Sequence, residues 1–168
     1  MTAAGNEAGK AHHFYGTASD ANSYETVEIL VEPDTTGFCV ELWGQPPEIY
    51  AVGFESPLGE VIQKLPPRIS FSENISFILE NTRIFITSEI VQTVSGHQLI
   101  FIRFSDPTPG SWKIRVYTDS FNSGNYHLWL PITGFSKPDV RFLRSNPDTT
   151  LTVPSASVST ITTAAYNA

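Results

Sequence analysis

The stretch "GSWKIRVYT", residues 110–118, alternates two kinds of side chain. Trp112, Ile114 and Val116 fall on one face of an extended chain, and Lys113, Arg115 and Tyr117 on the other. A period of two in β-branched and aromatic residues is the pattern of a strand with one face in a core and one toward water. Trp112 is therefore expected to be buried. The Lys113 and Arg115 spacing is what the polar face of such a strand shows in any case.

The same pattern extends outward in both directions. Upstream, "TVEILVEP" places Val27, Ile29 and Val31 together, and "GFCVELWG" does the same for Phe38, Val40 and Leu42 before Pro46-Pro47 stops it. "EIYAVGFESP" aligns Tyr50, Val52 and Phe54, and "HQLIFIRFS" aligns Ile100, Ile102 and Phe104. "ISFILEN" and "RIFITSEIVQTV" flank Asn81-Thr82 like the arms of a hairpin. Downstream, "NYHLWLP" sets Tyr126, Leu128 and Leu130 against His127 and Trp129. Short strands separated by Gly, Pro, Asn and Asp predict an all-β fold, a two-layer antiparallel β-sandwich. Periodicity leaves jelly-roll and immunoglobulin-like topologies open.

The 168 residues are 40% hydrophobic and 16% charged, with 11 Phe, 12 Pro and 11 Gly, which suits one strand-rich domain. The net charge of −7 argues against a nucleic-acid partner, because phosphate neutralisation needs clustered Lys and Arg. No run approaches the roughly 20 apolar residues of a membrane-spanning helix, so no membrane partner is expected. The first residues lack a basic-then-apolar leader, which in a segment of a longer chain says nothing of its compartment. Cys39 is the sole cysteine, which excludes an internal disulfide and reads as a small buried hydrophobe.

Few residues suggest chemistry of their own. His97 lies in the turn-like "SGHQ" and is expected in solvent; His127 is expected on the outer face of its strand. The adjacent His12 and His13 read as a polar loop, without the spaced third ligand that a metal needs, and no metal or cofactor is expected. Residues 34–37, "DTTG", read as a turn, and Asn74 in "NIS" fits a glycosylation sequon. There is no Gly-x-Ser-x-Gly elbow. Among the three Trp, Trp129 beside His127 is the candidate for an exposed aromatic that stacks on a ligand, a carbohydrate above all.

The two ends differ from the body. Residues 1–25 show little alternation, and residues 146–168 are rich in Thr and Ser, with a helical turn expected after Pro154 and a strand-like "STITTAAYN". Neither end has the apolar bulk for a core, and composition alone also fits a disordered linker. "TAAGNEAG", residues 2–9, resembles the "AAGN" turn of subtilisin-like (S8 family) serine proteases. "PSASVSTITTAAYN", residues 154–167, resembles the segment that follows that turn in the same fold. In ordinary subtilisins few residues separate the two.

The arrangement, with "PTPGSWKIRVY", "HLWLP" and "NPDTTLTVP" between or leaving the ends, is similar to clostridial-type subtilases, spore-germination proteases included. In these a jelly-roll domain interrupts the catalytic domain. The resemblance implies that Asn6 is the oxyanion-hole donor, an uncharged amide aimed where negative charge develops in the transition state. It implies three parts: residues 1–25 from the catalytic domain, 26–145 as a jelly-roll insertion, and 146–168 returning to the catalytic domain. The family's catalytic Asp and His would precede Asn6 and its Ser would follow Ala168. No "DTG", "HGT" or "GTS" motif occurs here, and Met1 reads as a start added to an excised segment.

The expected role is a non-catalytic insertion that stabilises a bacterial serine endopeptidase or modulates substrate access. Its partners would be the rest of that protease and the protease's protein or peptide substrate. A carbohydrate-binding module or a freestanding interaction domain is the alternative, with Trp129 and His127 as the ligand-facing pair.

Overall fold

The computed structural model describes residues 1–18, 23–66, 68, 70–90, 96–118, 124–132 and 140–164. Among these, strands and turns alone form the fold. The first strands are β1 (Thr2–Ala3), β2 (His13–Thr17), β3 (Tyr24–Val31), β4 (Gly37–Gly44), β5 (Tyr50–Glu55) and β6 (Val61–Ile62). The remainder are β7 (Phe71–Ser76), β8 (Arg83–Ile90), β9 (Gln98–Ser105), β10 (Gly110–Thr118), β11 (Asn125–Trp129), β12 (Val140–Phe142) and β13 (Thr162–Thr163).

Two antiparallel sheets pack face to face. One runs β12-β3-β10-β5-β6, the other β2-β11-β4-β9-β8-β7. Within them, β2-β11-β4-β9 and β3-β10-β5-β6 form the paired Greek keys of a jelly roll, with successive strands crossing between sheets. The hairpin β7-β8 widens one sheet and β12 the other. The topology that periodicity left open is thus settled as the jelly roll.

The core is the set of residues that alternation placed inward. Val27, Ile29, Val31, Tyr50, Val52, Phe54, Trp112, Ile114 and Val116 line one sheet, and Phe38, Val40, Leu42, Ile100, Ile102, Phe104, Tyr126 and Leu128 the other. Trp112 is fully buried, edge-on to Phe77 and Phe104, and its indole N–H donates to the Thr108 carbonyl at 2.8 Å. On the opposite face, Lys113 and Arg115 both pair with Glu55 on the neighbouring strand, at 2.6 and 2.5 Å. Those two charges hold the Glu55 carboxyl below its ordinary range.

Several expectations need correction. Residues 1–25 contribute both a strand, β2, and a core residue, Phe14, which packs against Tyr126 and Phe142. The alternation in "HFYGT" was present but brief. The β7-β8 hairpin closes through residues 77–82, not through Asn81-Thr82 alone, because Phe77 N–H bonds the Thr82 carbonyl across the loop. Cys39 points outward from β4 opposite Arg103 and is half-buried; burial still raises its thiol pKa. The segment after Pro154 is a run of turns, not a helix, and of "STITTAAYN" only Thr162 and Thr163 form strand; residues 165–168 lie outside the described residues. Residues 34–36 lie in the connection from β3 to β4, with Asp34 at a left-handed φ of 67°, and Gly37 begins β4.

Candidate functional site

β1 and β13 pair with each other and with neither sandwich sheet. They run parallel, Thr2 opposite Thr162 and Ala3 opposite Thr163, with Thr2 N–H to Ile161 O at 3.0 Å and Ala4 N–H to Thr163 O at 2.9 Å. Parallel neighbours require a long crossover connection. Here the whole sandwich is that crossover.

The turn after β1 is built for close approach. Gly5 has φ +88°, and a Cβ on it would sit 2.6 Å from Thr152 Oγ1, so a larger residue there would be both strained and blocked. Thr152 also donates its N–H to the Ala4 carbonyl at 3.2 Å. Asn6 follows at once and is exposed on the turn.

A second cluster lies on the outer face of the six-stranded sheet. His127 on β11 is opposite Tyr15 on β2 and Trp43 on β4; Trp129 is opposite His13 and Glu41. The His13 ring stacks on Trp129 at 3.9 Å between centroids and on His127 at 5.2 Å, with Tyr15 tilted against His127. Trp129 and His127 therefore occupy the outer face as expected, but half-buried, with one face of the indole covered by His13. His12 and His13 are both buried, contrary to a polar loop, and His97 is half-buried, contrary to full exposure. The run "HFYGT" that carries His13 into β2 is too short for its alternation to place the ring.

The tautomers follow from the acceptors. His13 Nδ1 lies 3.0 Å from the Asn146 carbonyl, which can only accept, so Nδ1 carries the proton. His13 Nε2 then accepts from His127 Nδ1–H at 2.9 Å. Asn146 N–H returns a bond to the His13 carbonyl at 2.8 Å, which ties the return segment to β2.

Burial lowers the pKa of both imidazoles; the Asn146 and Asp148 backbone and the Asp148 charge oppose this at His13, and His13 and His97 reinforce it at His127. A depressed pKa contributes stability that is present above the unfolded value, about 6.5, and lost as pH falls below it. The melting temperature is thus expected to decline on acidification from pH 7 toward 5. His127→Gln should flatten that decline, and an identical slope in wild type and variant would refute the assignment.

Between this face and the return segment runs a groove of about 520 Å³. Trp43, Trp129 and Glu41 form the sheet side; Glu7, Leu151 and Val153 are among the residues of the other. Trp43 Nε1 donates to Glu41 Oε2 at 3.0 Å, and Glu7 Oε2 lies 3.4 Å from His12 Nδ1.

No protein-family model matches the sequence, and no curated protein sequence does either. Among solved structures, the fold is similar to that of the Clostridium perfringens CspB protease, with a TM-score of 0.81 at 23% identity. The match covers 98% of this chain and 34% of the protease chain. The fold is shared over nearly the whole length. This chain spans about a third of that protease.

Proposed function

We propose that the chain is the non-catalytic insertion domain of a subtilisin-like serine endopeptidase together with short flanking segments of its catalytic domain. The observation that carries this reading is the parallel pairing of β1 with β13, with Asn6 exposed on the turn after β1. A two-stranded pair of this length does not stand alone in water, and it suits two neighbouring strands of a larger parallel sheet. The likeness to part of the CspB protease chain is compatible with the same arrangement. In such an enzyme the Asn6 amide would donate to the oxyanion, while the acid, base and nucleophile would come from outside this chain.

The sandwich would act by tying together the two segments it connects. Residues 11–13 and 140–146 are cross-linked through Phe142 N–H to Ala11 O and through both His13–Asn146 bonds, so the loop bearing Asn6 inherits the rigidity of the jelly roll. Replacing residues 13–145 in the full-length protease by a short Gly-Ser linker tests this. A lower melting temperature together with altered turnover of protein substrates is expected. Unchanged melting, folding yield and substrate range would overturn the role.

A further inference from the structure

We propose that the groove between the ring-bearing sheet face and the return segment is a recognition pocket for a lysine or arginine side chain of a protein substrate, a reading that rests on the insertion-domain function above. Three features point to a cation on an apolar stem. The walls are largely apolar, supplied by Leu130, Ile132, Leu151 and Val153, which suits an aliphatic stem. Two indoles, Trp43 and Trp129, line the sheet side, and indole faces attract guanidinium and ammonium groups. Two carboxylates, Glu7 and Glu41, lie on opposite sides, and neither Lys nor Arg lines the groove among the described residues.

The place of the groove favours substrate over other occupants. Glu7 adjoins Asn6 in sequence, so an extended chain held at the oxyanion turn would pass the mouth of the pocket. Glu41, Trp43 and Trp129 come from the sandwich, which would let the inserted domain choose among substrates. His12 sharpens the site: it is 8% exposed, its Nδ1 has no hydrogen-bond partner, and it faces Glu7 at 3.4 Å. A cation bound beside this pair would lie against the Glu7 carboxylate on one wall and Glu41 on the other.

The test uses the intact chain and tryptophan fluorescence. Acetyl-Gly-Gly-Arg-Gly-Gly-amide is titrated against its citrulline analogue, which keeps shape and removes charge. The expected result is a saturable change with the Arg peptide, at least about fivefold weaker with citrulline and weakened by salt. Glu41→Gln should weaken Arg binding by a similar factor at unchanged melting temperature, and Glu7→Gln provides the same test from the opposite wall. Equal binding of the two peptides, no saturable response to the Arg peptide, or saturable binding of cellohexaose in its place would overturn the proposal. Because the assay needs no proteolysis, its outcome is separate from that of the excision experiment.

Discussion

Trp112→Ala is expected to destabilise the chain by about 3–5 kcal/mol, the usual cost of truncating a fully buried aromatic. Trp112 is 0% exposed and sits where the two sheets meet, edge-on to Phe77 at 5.0 Å and Phe104 at 5.3 Å. Removing the indole leaves a cavity, takes a ring partner from two further core aromatics and strips the Thr108 carbonyl of its donor. Since single domains are stable by only about 5–15 kcal/mol, the variant should unfold at a much lower urea concentration or fail to accumulate as folded protein. A midpoint shift corresponding to less than about 1 kcal/mol would mean that the inter-sheet core is not organised around this residue.

Gln98→Leu should be almost as damaging, for a different reason. Gln98, at the start of β9, is 3% exposed and bridges the two sheets through its amide. Its Oε1 accepts from Tyr50 N–H at 2.7 Å, and its Nε2 donates to Tyr50 O at 3.0 Å and to Ser88 Oγ at 3.0 Å. Leucine is close in size but leaves the buried Tyr50 N–H and carbonyl without those partners, at about 1–3 kcal/mol each. Chemical denaturation of the two proteins should show a loss of about 2–6 kcal/mol on that basis. Stability within about 0.5 kcal/mol of wild type would show that water replaces the amide at no cost.

The contrast between these two residues shows what the sequence makes legible. Trp112 is readable because it stands in a clean alternation of nine residues, the mark of a strand with one buried and one half-exposed face. Gln98 carries no such signal. It occupies an inward position of β9, yet its partners are the backbone of Tyr50, 48 residues away in sequence, and nothing local announces that pairing. β2 was missed for a related reason: five residues with one Gly give too short a pattern, and its place is set by pairing with β11, more than a hundred residues later. The ring stack follows from the same pairing, so alternation places His127 and Trp129 on the outer face, while His13 reads as part of a loop rather than as their cover. The parallel β1-β13 pair is two residues long on each side, below any periodicity. For the ends the sequence offers only the resemblance of "AAGN" and of the 154–167 segment to consecutive pieces of the subtilisin-like fold, on which the proposed function draws.

The proposed function turns on Asn6 as an oxyanion donor and on the sandwich as an interruption between neighbouring strands of a host sheet. The most direct measurement is peptidase kinetics of the full-length gene product with Asn6→Ala against wild type. Loss of one oxyanion donor predicts kcat lower by about 10²–10³-fold at nearly unchanged KM. Wild-type and Asn6→Ala enzymes with equal kcat would contradict it, as would a gene product without peptidase segments on either side of these 168 residues.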